Sequence, residues 1–88
     1  MTYHDLQRKL HETPFKPFRI KLVNNSTYDV VEPWMIMVGE SSAIVATQTR
    51  TDERGYQLAL DWRTISIRHI LELIDIDRKQ RDRTKKPA

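Results

Sequence analysis

Three histidines, four serines and a scatter of arginines, lysines and aromatic rings are the residues of this chain equipped for chemistry. A serine nucleophile needs a base and an orienting partner within hydrogen-bond reach. Ser26, Ser41, Ser42 and Ser66 stand in no Gly-x-Ser-x-Gly elbow or comparable strained turn. His4 and His11 are seven residues apart, which separates them by about 10 Å along a helix axis, too far to grip one metal ion. His69 stands among strand-forming isoleucines and reads as a structural histidine. Gly39 and Gly55 are the only glycines, too few for a phosphate-cradling or dinucleotide loop, and no HExxH occurs. No catalytic residue, metal ion or cofactor is expected, and the chain reads as a binding protein rather than an enzyme.

Binding chemistry is better supplied. Arg19, Lys21, Arg63, Arg68 and His69 are candidate phosphate contacts, and Tyr28, Trp34, Tyr56 and Trp62 offer rings on which bases could stack. Arg78, Lys79, Arg81, Arg83, Lys85 and Lys86 face only Asp77 and Asp82, so residues 77–88 carry +4, while nine basic and ten acidic side chains leave residues 1–76 at −1. The net +3 of the 88 residues therefore resides in the tail. Such a tail attracts nucleic acid with steep salt dependence; the alternative is a solvated, disordered end. Trp34, Met37 and Trp62 are candidate protein-interface anchors if exposed, and core residues if not.

Eighty-eight residues make one domain, small enough for self-association to matter. Absence of cysteine excludes disulfides and Cys-ligated zinc and fits a reducing cytoplasm. No apolar run approaches the roughly 18–20 residues of a membrane span, and Thr2-Tyr3-His4-Asp5 reads as a helix cap rather than a secretory signal. A cytoplasmic location without a membrane partner is expected.

The elements that must position these groups follow from periodicity. Tyr3, Leu6 and Leu10 make a helical stripe that should end by about Glu12, since Thr13 precedes a proline. Phe18, Ile20 and Leu22 alternate with polar residues as a half-buried strand, and Asn24-Asn25 predicts a tight hairpin into a strand over residues 27–32. Pro33 interrupts that strand and Trp34 to Val38 continue as an apolar run. Residues 43–49 and 56–60 read as further strands and Asp61-Trp62-Arg63-Thr64 as a tight connection; Ile65 to Ile76 read as a closing strand with a bulge near His69, the alternative being a helix with Ile67, Ile70, Leu71 and Ile74 on one face. The expected fold is mainly β: an N-terminal helix and a small, strongly bent, five-stranded antiparallel barrel over residues 1–76, followed by the basic tail.

The run Pro14-Phe15-Lys16-Pro17-Phe18-Arg19-Ile20, the step Glu32-Pro33, and Asp61 followed by Ile65 to Glu72 resemble a family of short bacterial proteins with a PF-(K/R)-PF-R-I opening. The match covers roughly residues 5–74 and implies a fold without an established activity. The chain also resembles Sm-like barrels of the Hfq type. Leu22-Val23-Asn24-Asn25 is similar to their first hairpin, and Ile67-Arg68-His69-Ile70 to their aromatic-Lys-His segment near the RNA-binding pore. Ile67 replaces the aromatic residue, Asn25 the hairpin glycine, and the stretch from Ser41 to Thr64 is longer than their pattern. This resemblance implies rings built through edge strands and RNA binding. Two functions are thus expected: an oligomeric binder of RNA or single-stranded DNA, or a protein-interaction module with no nucleic-acid role.

Overall fold

The computed structural model describes residues 1–76. The chain runs α1 (Tyr3–Leu10), β1 (Phe18–Leu22), β2 (Thr27–Val30), a 3-10 turn (Pro33–Met35), β3 (Ile36–Val38), β4 (Ser42–Thr51), β5 (Gln57–Ser66), a second 3-10 turn (Ile67–His69) and β6 (Ile70–Asp75). The strands form two antiparallel three-stranded sheets, ordered β2-β1-β6 and β3-β4-β5.

The expected closed five-stranded Sm-like barrel does not form. Six strands divide between two open sheets because the chain changes sheet at two corners. β2 ends at Val30, two residues short of the strand expected over residues 27–32, and the 3-10 turn Pro33–Met35 forms the first corner. The second corner, Ile67–His69, falls inside the isoleucine-rich stretch expected to be one strand. Ile65 and Ser66 finish β5 in one sheet, while Ile70 starts β6 in the other. Residues 61–64 are likewise not a connection. They lie within β5, with Trp62 opposite Ala46, Arg63 opposite Val45 and Thr64 opposite Ile44. Their polar alternation fits an edge strand as well as a turn, and the register shift in β4 between Ala46 and Thr49 accommodates them.

Elsewhere the sequence pattern and the structure agree. Phe18, Ile20 and Leu22 all point into the core, with Phe18 and Ile20 wholly buried. Asn25 takes the left-handed conformation (φ 72°) that the β1–β2 hairpin requires. Gly55 does the same (φ 87°) in the β4–β5 connection. The core joins Leu6 of α1 and Val30 of β2 to Ile36, Ala43, Val45 and Ile65 from the other sheet. Removing each of the larger side chains, Leu6, Val30, Ile36, Val45 and Ile65, from water contributes roughly 1.5–3 kcal/mol. Tyr3 and Leu10 pack at the rim of that core.

The helix is tied at both ends. The Thr2 N–H and hydroxyl both donate to Asp5 Oδ2, at 3.1 and 3.0 Å. Lys9 donates to the carboxylate of Asp75 at the end of β6 and lies 3.1 Å from Glu12 Oε1. Hydrogen bonds from the Thr2 backbone, then its hydroxyl, hold the Asp5 carboxyl below the ordinary carboxylate range. The Lys9 hydrogen bond does the same for Asp75. Burial pulls Lys9 down, but hydrogen bonds to Asp75 and Glu12 outweigh it and leave its pKa raised.

A carboxyl depressed by folding stabilises the protein above its unfolded pKa, and that stabilisation is lost as pH falls through the folded value. The melting temperature should therefore drop as pH is lowered below about 4. Asp75→Asn should lower it at neutral pH and flatten the acid limb, as thermal melts across pH would show. An unchanged acid limb would contradict the Lys9–Asp75 tie.

Candidate interaction surface

The residues predicted to contact phosphate are brought into different settings. Arg19 on β1 stands opposite Asp29 on β2, and its Nε donates to Oδ1 at 2.7 Å while Nη2 donates to Oδ2 at 3.3 Å. Both side chains are half-buried, at 29 % and 23 % exposure. The hydrogen bond to Asp29 raises the Arg19 pKa against the opposing effect of burial. This forked pair spends two guanidinium donors within the protein. Lys21 stands between Thr27 of β2 and Glu72 of β6. Arg68 and His69 are exposed on the second corner, where the Val23 N–H donates to the His69 carbonyl at 2.9 Å. The β1 cations thus each face an acid across the sheet, and no broad basic platform results among the described residues. Arg78, Lys79, Arg81, Arg83, Lys85 and Lys86 lie outside the described residues.

An open groove of about 700 Å³ runs between β2 and the shifted part of β4. The Arg19–Asp29 pair, Thr27, Gln48, Met35 and Leu60 line it. Its charged groups already satisfy one another. Among the described residues, no group of three or more His, Cys, Asp or Glu side chains is placed to hold a metal ion. His4 stacks on the Tyr3 ring with centroids 4.2 Å apart.

The predicted interface residues converge better. Met37, Ile44 and Thr64 lie opposite one another across β3, β4 and β5. Residues directly opposite share a face, and alternate residues along a strand do too, so Trp62 joins this row. The neighbouring rows contain buried Ile36, Ala43, Val45 and Ile65. The Met37–Ile44–Trp62 strip therefore points away from those residues, and Trp62 stands over buried Ala46, its partner on β4. Met37 is 69 % exposed, Trp62 43 % and Ile44 38 %. Trp34 sits on the corner just before β3 and is 39 % exposed.

Beside this strip, β5 has one side unpaired among the described residues, since β4 covers only the other. The Ile67 N–H donates to the Ser41 carbonyl at 3.0 Å, and ladder bonds alternate along an antiparallel pair. Ile65 and Arg63 thus turn their backbone groups toward β4, whereas Trp62 and Thr64 turn theirs toward the free edge. The Trp62 N–H is met there by Asp61 Oδ1 at 3.0 Å.

Sequence reasoning overlooked Asp29, Ile44 and the strand position of Asp61. Asp29 was recoverable, because a hairpin centred on Asn24 must place residues 19 and 29 opposite each other. Ile44 alternates with Ala43 and Val45, and both faces of that stretch are apolar, so the pattern carried no sign of which face is solvated. No family model, curated protein or solved structure matches the chain.

Proposed function

We propose that this protein is a non-catalytic assembly module that binds a second copy of itself through the outer face and free edge of the β3-β4-β5 sheet. The observation that carries this reading is the exposed strip Met37–Ile44–Trp62 bordered by the unpaired side of β5. Apolar side chains aligned on one sheet face favour burial against a partner, and an open strand edge supplies main-chain hydrogen bonds for it. The near-neutral body and the internal Arg19–Asp29 pair favour protein contact over nucleic acid.

Trp62→Asp tests the reading. Trp62 is 43 % exposed and outside the core cluster, so the variant should keep its circular dichroism spectrum. Placing a charge in the contact should weaken self-association at least about tenfold, the equivalent of about 1.4 kcal/mol. Sedimentation equilibrium on wild type and variant gives the comparison, and equal association constants would refute the assignment of this face.

A further inference from the structure

We propose that two copies join β5 to β5, antiparallel, about a twofold axis at Trp62, so that Asp61 of each copy faces the partner's Arg63. This rests on the self-association proposed above and specifies its register. The occupant is a second copy because the charges of β5 are complementary to themselves and to that strand run in reverse. The segment reads Leu60-Asp61-Trp62-Arg63-Thr64. With Trp62 opposite the partner's Trp62, position 61 meets 63 and position 60 meets 64. Two opposite-charge pairs form, and Leu60 packs beside the partner's Thr64. Sliding the axis by one residue sets Arg63 against Arg63 or Asp61 against Asp61, and like charges directly opposite repel.

The backbone geometry fits this register. An added strand must bond to residues that face the free edge, and Trp62 is one of them. Its N–H is presently held by the Asp61 carboxylate. On pairing, the partner's Trp62 carbonyl takes over that N–H, and the Asp61 carboxylate is released to the partner's Arg63. Within one chain Arg63 Nε lies 4.0 Å from Asp61 Oδ2, with both side chains more than half exposed. Each group is therefore accessible to a partner. Asp61 and Arg63 share one face of the strand, while Trp62 lies on the other beside Ile44 and Met37. Pairing thus makes one six-stranded sheet in which the two Trp62 rings meet side by side on the outer face.

Charge reversal in trans separates this register from other modes. Asp61→Arg gives a chain with arginine at both positions, and Arg63→Asp gives one with aspartate at both. Each variant alone should associate at least tenfold more weakly than wild type, because like charges now face each other. An equimolar mixture should recover association, since every charge in the mixed pair again meets its opposite. The double variant Asp61→Arg/Arg63→Asp should also recover it within a single chain. Circular dichroism identifies any variant that fails to fold, and the double variant then decides. Two variants that associate like wild type, or a mixture or double variant that stays monomeric while wild type associates, would overturn the register. In that case a Trp62→Asp effect would leave the broader assembly reading standing. Wild type that is monomeric at all concentrations would overturn both.

Discussion

Phe18→Ala is expected to leave the domain close to unfolding at ordinary temperature. Phe18 is wholly buried, starts β1, and lies with its ring centroid 6.1 Å from that of Phe15. It is opposite Val30 in β2 and Asp75 in β6, at the centre of its sheet. Truncating a buried phenylalanine removes its transfer free energy and leaves a cavity, typically costing about 3–5 kcal/mol. A small domain holds a total of only about 5–15 kcal/mol. Urea denaturation should show the unfolding free energy falling by that amount, as a lower midpoint with little change in slope. A cost below about 1 kcal/mol would mean that Phe18 does not fill the core as described.

Asp29→Ala should cost about 2 kcal/mol, between the roughly 3–5 of breaking a fully buried pair and the 0–1 of a surface one. The variant strands a half-buried guanidinium that now holds two hydrogen bonds to the missing carboxylate. Replacing both residues, Arg19→Leu with Asp29→Leu, should recover most of the loss, because no charge is then left unpaired. The result also bears on function. If Asp29→Ala changed stability by nothing measurable, Arg19 would be free to meet an anion, and the phosphate-binding reading would regain its strongest residue.

The parts of this fold governed by local periodicity were legible in the sequence. The capped helix, the inward Phe18-Ile20-Leu22 face and the Asn25 turn each need only a few consecutive residues to specify them. The sheet changes were not legible. A corner such as Ile67–His69 replaces a strand bulge with a short 3-10 turn, and Ile65 to Ile76 carries the same apolar composition in either case. Whether two sheets close into a barrel depends on pairings between distant strands, which no local pattern encodes. The same limit hid the surface. Met37 and Trp62 stood out by residue type, but their alignment through Ile44 depends on the β3–β4–β5 register. Asp61 and Arg63 gain their meaning only once residues 61–64 are known to be strand rather than turn.

Self-association of the wild-type chain is the most direct test of the central claim. Sedimentation equilibrium over a wide concentration range should show the mass rising from the 10.5 kDa of one chain toward twice that value. It should do so at high as well as low salt, because an apolar strip and main-chain hydrogen bonds are screened far less than surface charges. A mass fixed at 10.5 kDa at every concentration would contradict the assembly role of the β3-β4-β5 sheet.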